Sequence, residues 1–359
     1  MDLTLSSTQQ AFQEKAQRIA EEDLRPQALV RDREGKFPFD ALQALATEGL
    51  MGVNVSSEYG GSQAGVLSYS LAVIEIAKGD PAIAVTMAVN NMVSEVIAEF
   101  GTPAQREEII PQMTSGSFSS GSFCLSEPGS GSDAAGMTTR VTASKKGFLL
   151  NGTKAWITSG AFAGIFLVWA HTEEGISLFL VDPKLAGISV GSPEEKMGQH
   201  ISNTVSLSFD DVLLPEDALL GSPGEGFKIA MMALDGGRIG IASQSLGIGD
   251  AAISLCPDFE LRFPTLFARQ EAARSITLRA AYLKEKGVPF TRAASIAKLQ
   301  ASEVANEIVR ALYATPDVCD PFLEKLLRDA RVTRIYEGTS EVQRIVIARN
   351  FITQGLTGS

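Results

Sequence analysis

The chain has 359 residues, enough for two or three domains. Hydrophobic residues make up 45% of it and charged residues 20%, an ordinary globular composition that excludes a disordered chain. The formal charge of −11, with no block of Lys or Arg, argues against a nucleic-acid partner, although a few well-placed arginines can still hold one pyrophosphate.

Met1 is followed at once by Asp2, and no basic flank leads into an apolar core, so no secretory signal is expected. The longest uninterrupted apolar run, Ala161 to Ala170, is too short to span a bilayer. A soluble cytoplasmic protein without membrane contact is the expectation. Residues 1–116 read as an N-terminal α-helical domain. Ser7 and Gln10 have the spacing of a capping box, and Phe12, Ala16, Ile19, Ala20 and Leu24 then share one helical face that Pro26 closes. Further helical runs cover Phe39 to Leu50 and Val66 to Lys78. Glu58-Tyr59-Gly60-Gly61 reads as a turn, and Pro103 suits the first position of a helix.

Residues 117–223 read as a middle antiparallel β-domain. Its strands are Phe148 to Leu150, Ile165 to Ala170 and Ile176 to Val181, punctuated by Lys146-Gly147, Asn151-Gly152 and Asp182-Pro183. Asn-Gly is a strong hairpin signal. Residues 224–359 return to helical period, with runs at 225–254, 268–286 and 340–353. An apolar stripe of Ala301, Val304, Ala305, Ile308 and Leu312 lies in a helix of roughly 20 residues, about 30 Å long. A four-helix bundle is the natural packing. The fold class is therefore α+β multidomain, in the order helical, β, helical.

Chemistry-bearing residues are sparse. Cys124, Cys256 and Cys319 give neither a disulfide framework nor zinc spacing. There are 2 histidines, His171 and His200, and no G-x-S-x-G elbow, so neither zinc nor a serine nucleophile is expected. Gly129-Ser130-Gly131-Ser132-Asp133-Ala134 satisfies G-x-G-x-x-A. Its context is wrong for a dinucleotide turn, because Pro128 precedes it and the β-like stretch Met137 to Ala143 follows. Trp156 and Trp169 on strands are by default core, and a Glu such as Glu337 between Tyr and Gly is by default solvated or capping.

The segments FPFDALQALATEGLMGVNVSSEYGG (37–61), CLSEPGSGSDAAGM (124–137), KAWITSG (154–160), EKMGQHISNTVSLSFDDVLLPEDALLG (195–221), LDGGRIGIASQSLG (234–247) and RDARVTRIYEGTSEVQR (328–344) change this balance. In this order they resemble the acyl-CoA dehydrogenase family over essentially the whole chain, its bacterial short-chain branch most of all. The resemblance implies FAD, an acyl-CoA substrate, a trans-2-enoyl-CoA product, an electron-transfer flavoprotein as partner and a homodimer or homotetramer. It implies that Glu337, in Tyr336-Glu337-Gly338-Thr339, is the base that removes the α-proton. Some relatives carry that base at the position of Gly237, which cannot serve here. Phe123, Leu125, Ser126, Gly131, Ser132, Trp156, Ile157, Thr158, Thr339 and Glu341 match cofactor-binding positions. Ser132, Asp235, Arg238, Tyr336, Gly338 and Arg349 match substrate-binding ones. Trp169 has no matching role and is read as core.

Two segments depart from the family pattern. Residues 254–275 read as shortened by roughly a dozen residues or more and lose the Arg that, by the resemblance, reaches the flavin pyrophosphate of a neighbouring subunit; Arg262-Phe263 is a remnant at the wrong spacing. Where the family has Gln-x-x-Gly-Gly-x-Gly, this chain has Ala311-Leu312-Tyr313-Ala314-Thr315-Pro316-Asp317, with side chains in place of bare backbone and no N–H at Pro316. Three readings stay open on sequence: an active FAD enzyme that grips the ADP half differently, a flavin-deficient binding or assembly subunit, and a dehydrogenase of carrier-protein-bound acyl groups.

Overall fold

The structure, a computed structural model, describes residues 4–354. The chain opens with α1 (Ser7–Ile19), whose capping box is Ser6 with Gln9. Both Ser6/Gln9 and Ser7/Gln10 have the required spacing, and the earlier pair is used because the helix begins one residue sooner than the sequence pattern suggested. Pro26 does not end the element either. Ala20–Leu24 form a π-helical turn, and Pro26 falls in the first turn of α2 (Arg25–Glu34). There its missing N–H leaves no gap in a hydrogen-bond ladder. Gly35, at φ 63°, ends the run.

Next come α3 (Phe39–Thr47), α4 (Gly65–Gly79), α5 (Pro81–Phe100) and α6 (Pro103–Thr114). Thr102 and Gln105 make a second capping box, with Pro103 in the first turn. By length and composition α5 can cross a bilayer, but it is enclosed by the rest of the fold. Its Asp80 cap accepts from the Ala82 N–H.

The strands are β1 (Gly121–Cys124), β2 (Arg140–Ser144), β3 (Gly147–Thr158), β4 (Ile165–Thr172), β5 (Gly175–Val181), β6 (Ile188–Val190), β7 (Thr204–Leu214) and β8 (Leu219–Leu220). They form an 8-stranded sheet in the order β6-β7-β3-β2-β4-β5-β8, with β1 on β4. Most pairings are antiparallel, but β4 takes β1 and the start of β2 in parallel. Lys145-Lys146 turn between β2 and β3, where Ser144 pairs with Gly147. Asn151-Gly152 does not turn the chain. It lies inside β3, at a register shift against β7, with Gly152 at φ 146°. The left-handed tolerance that makes Asn-Gly a hairpin signal here serves a β-bulge, and the Asn151 amide is held by Asp211 on β7.

Helices return with α7 (Gly226–Ile253), α8 (Phe259–Arg262), α9 (Pro264–Glu285), α10 (Thr291–Tyr313), α11 (Pro321–Ala330) and α12 (Ser340–Gln354). α7, α9 and α10 pack on one another, α12 lies on α10, and α4 from the first helical part lies on α7 and α9. The two helical parts therefore share one apolar core. A second cluster joins α5, β4, β5 and α7, and a third fills the other face of the sheet. Trp169 is fully buried in the second cluster and donates from Nε1 to the Gly226 carbonyl at 2.7 Å, which fixes the start of α7 on β4.

Candidate active site

Two groups of residues meet the description of a site. The first is built on β1, β3 and the loop 125–139. Lys154 on β3 is fully buried and pairs with Glu127 at 2.9 Å. It also donates to the Leu125 carbonyl at 3.1 Å. Glu127 accepts from the Thr138 and Thr139 backbones, and these hydrogen bonds outweigh its burial to hold its pKa low, at about 2. One buried ion pair thus pins both ends of the Gly/Ser-rich loop, which explains how so glycine-rich a stretch is fixed. The pair was not legible as functional in the sequence.

Around this anchor, Ala155 N donates to the Ser126 carbonyl at 2.9 Å and Ser122 Oγ to the Thr158 carbonyl at 2.7 Å. Trp156 lies at a second register shift of β3, at φ 56°, with its indole 57% exposed. A β-bulge re-aims a side chain, and a large aromatic held outward in left-handed backbone needs something to cover it. The exposed tip of the loop is close: a Cβ on Gly131 would lie 3.6 Å from Trp156 Cζ3. Ser132 is exposed beside it, while Phe123, Ser126 and Thr158 are half-buried. Leu125 is buried. Ile157 points the other way, fully within the third core, so only its backbone is left to face a ligand.

The second group surrounds residue 337, in the connection between α11 and α12. Glu337 has φ 53° and Gly338 φ 87°, two successive left-handed residues. This turn sends the Glu337 side chain onto α7, where a Cβ on Gly237 would lie 2.6 Å from its Oε2. Glu337 Oε2 is shut away from solvent with no hydrogen-bond partner among the described residues. Burial pushes the carboxyl up to about 7, against the opposing pull of Arg238 and Lys298. Among the described residues, no group accepts from the Glu337 backbone N–H.

Its neighbours hold the turn. Lys298 on α10 donates to the Gly338 carbonyl at 2.7 Å, and Gln343 to the same oxygen at 2.9 Å. Thr339 caps α12 through Val342 N, and Glu341 follows, exposed. Tyr336 is half-buried, with its hydroxyl donating to Gln244 and accepting from Gln199 Nε2 at 3.3 Å. Arg238 is only 5% exposed, paired with Asp235 and donating to Ser295 Oγ at 3.2 Å. Burial raises the Asp235 carboxyl, though Arg238 and Thr291 counter it. Arg349 is exposed on α12. Met92 of α5 reaches the same place, its Sδ 3.0 Å from a Cβ on Gly237. Met92 belongs with Leu125, Phe123 and Tyr336 to one apolar cluster, and so links the two groups. Neither Met92 nor Lys298 carried a sequence signal, since a Met or Lys on a core helix is ordinary.

The two departing segments touch each other. Arg262 of α8 makes a bidentate pair with Asp317 at 2.9 and 2.9 Å. Beside them is a pocket of about 590 Å³ lined by Met197, Asn306, Arg310, Tyr313, Ala314, Leu327, Arg331 and Arg334. Arg310 and Arg331 have no ion-pair partner among the described residues, and Arg334 Nε is buried without one, although its Nη2 meets Glu303 at 3.0 Å.

Models of the acyl-CoA dehydrogenase N-terminal, middle and C-terminal domains match residues 6–117, 122–212 and 257–352. The short-chain specific acyl-CoA dehydrogenase of Bos taurus mitochondria is 40% identical over 375 positions, covering 97% of this chain and 91% of that one. Those 375 positions exceed the 359 residues of this chain, so the relative has residues that this chain lacks. The structure of butyryl-CoA dehydrogenase from Megasphaera elsdenii superposes with a TM-score of 0.93 at 36% identity, covering 98% of this chain and 100% of that one. A chain from work on the electron transferring flavoprotein of Acidaminococcus fermentans gives 0.94 at 36% identity, covering 98% and 100%.

Proposed function

The chain belongs to the acyl-CoA dehydrogenase family, and from that premise we propose that Glu337 is the base with which it removes the α-proton of a short acyl-CoA. The enzyme is an FAD-dependent acyl-CoA dehydrogenase that forms an α,β double bond. The observation that carries the Glu337 assignment is the unpartnered, sheltered Oε2 over Gly237.

The residues present fit FAD. The outward Trp156 indole, the Gly131 tip over it and half-buried Thr158 offer a face and an edge to a planar ring. Arg310, Arg331 and Arg334 would hold the diphosphate half, in place of the family's glycine loop. When bound, FAD accepts the hydride that leaves the β-carbon of the substrate.

The protein's own part is proton removal. An α C–H beside a thioester is a weak acid, so the base must be strong for a carboxylate and the developing enolate must be stabilised. Burial brings Glu337 to about 7, close to working pH, where a general base is most effective. The uncommitted Glu337 N–H can donate to the thioester oxygen, a charge-stabilising contact that strengthens as the enolate forms. Gly237 leaves room for the carboxylate to meet the α-carbon.

A short acyl chain is supported by the short-chain relatives and by a polar cluster one residue along α7. There Lys284 pairs with Glu95, to which Asn54 also donates, and a Cβ on Gly236 would lie 2.8 Å from Lys284 Nζ. Charged groups this close to Gly237 disfavour an apolar chain that extends past them. The similarity to the A. fermentans chain supports an electron-transfer flavoprotein as the electron acceptor. The exposed arginine pocket supports a homo-oligomer in which a second copy covers it.

The test is anaerobic titration of the yellow holoenzyme with butyryl-CoA. The wild type should bleach. Glu337→Gln should keep its flavin and slow by about 10²–10⁴-fold, the usual contribution of a positioned base. Near-normal bleaching in that variant would remove Glu337 from the mechanism.

A further inference from the structure

Lys298 is fully buried, and no carboxylate lies within ion-pair distance of it among the described residues. Among the described residues its single acceptor is the Gly338 carbonyl at 2.7 Å. An ammonium without a carboxylate partner is costly inside a protein, because an uncharged oxygen replaces little of its hydration. Burial pulls this one down to about 7, with Glu337 the first of the groups that oppose the fall. A methionine or leucine would fill the same space without that cost, so the charge itself needs a reason.

The charged groups that face Lys298 supply one. Arg238, from α7, is already tied to Asp235. Glu303, one turn along α10, is engaged by Arg334 at 3.0 Å, Arg344 at 3.7 Å and Ser340 Oγ at 2.8 Å. Glu341, on α12, is exposed and close to Arg344 at 3.7 Å. Among the described residues Glu337 alone of these carboxylates has no bound counter-charge. The hydrogen bond goes to the residue immediately after it, in a turn whose two left-handed residues must be held by their surroundings.

We propose that Lys298 is the positioning residue of this site: its hydrogen bond to the Gly338 carbonyl fixes the turn, and its positive charge keeps Glu337 ionised and ready to accept the α-proton. The inference rests on Glu337 being the base. It assigns Lys298 no contact with the substrate.

The experiment is the pH dependence of single-turnover flavin reduction by butyryl-CoA in the holoenzyme, for wild type and for Lys298→Met, Lys298→Gln and Lys298→Arg. Loss of a nearby cation favours the protonated carboxyl, so the acid limb of the profile should move to higher pH. A shift of about one unit is expected for Lys298→Met and Lys298→Gln, which slows reduction about fivefold at pH 7; the alkaline plateau should stay within about threefold in Lys298→Gln, which keeps a donor, and should fall further in Lys298→Met, which loses the hydrogen bond that fixes the turn. Lys298→Arg should restore the limb. Gln keeps a donor for the Gly338 carbonyl and lacks the charge, so the Gln–Arg comparison decides the matter even if the Met variant fails to fold. An unmoved limb, or equal slowing at every pH, would overturn the proposal. Glu337→Gln is measured alongside: if it still turns over, the base assignment has failed, and if it is dead while the limb stays put, only the role of Lys298 has.

Discussion

A methyl group at residue 237 would lie 2.6 Å from Glu337 Oε2 and 3.0 Å from both its Cδ and Met92 Sδ. The carboxylate and the sulfur already close on the bare Cα, so an alanine there must push Glu337 aside. Displacement of a catalytic group by about 1 Å can cost 10²-fold. Gly237→Ala should therefore lower the rate of flavin reduction by about 10–10²-fold. Alanine also favours the middle of a helix by roughly 0.5–1 kcal/mol over glycine, so the thermal midpoint should hold or rise. A loss of folding together with activity would contradict this. The sequence made Glu337 legible only through its whole motif. What it could not display was the relation to Gly237, since the two positions are far apart in the chain and one of them has no side chain. Lys298 was hidden for a different reason: on a helical stripe a buried lysine reads like any solvated one until the surrounding helices are in place.

At the level of elements, the segment that delivers Glu337 is mounted on a buried ionic junction. Lys325 of α11 donates to Asp329 at 2.6 Å and to Asp80, the cap of α5, at 3.1 Å. Burial alone would lower the lysine, but the two carboxylates overrule it and hold its pKa above the usual range. Asp329 also accepts from the backbone of Gln199, whose side chain donates to the Tyr336 hydroxyl. One lysine thus ties a helix of the first part, a loop of the β-part and the turn beside Glu337. Breaking a buried pair leaves charges uncompensated and typically costs 3–5 kcal/mol. Lys325→Met should lower stability by about that much in urea unfolding, and a change below about 1 kcal/mol would mean that no uncompensated carboxylate is left behind when the lysine goes. A long periodic run such as α10 was plain in the sequence because burial there follows one broad helical stripe, whereas α7, buried on every side from Gly237 to Gly249, was legible by its length and not by its period. Pro26 and Asn151-Gly152 misled because each is permitted by two local geometries. A proline suits a helix's first turn as well as its end, and an Asn-Gly pair suits a bulge as well as a hairpin. Only the neighbouring strand or helix decides between them.

Across the whole molecule, charge is distributed against its average. In a chain of net charge −11, Arg310, Arg331 and Arg334 gather at one pocket, two of them without an acidic partner among the described residues. The departing segment 311–317 lines it through Tyr313 and Ala314 and is tied to the other departing segment by the Arg262–Asp317 pair, so the arginine remnant at 262 is already committed to a carboxylate. On the FAD reading proposed above, the pocket arginines hold the cofactor's anionic half. Each charge-assisted hydrogen bond to a phosphate contributes about 1.5–3 kcal/mol, which is about ten- to a hundredfold in affinity. Arg310→Glu should accordingly weaken FAD binding by at least about tenfold, measured by fluorescence titration of apoenzyme, and more so at low salt, where screening is weakest. FMN has the same ring without the diphosphate link and the adenosine, and its affinity should change by less than about twofold. Equal losses for FAD and FMN would place the effect in folding, and no loss for either would show that the diphosphate is held elsewhere.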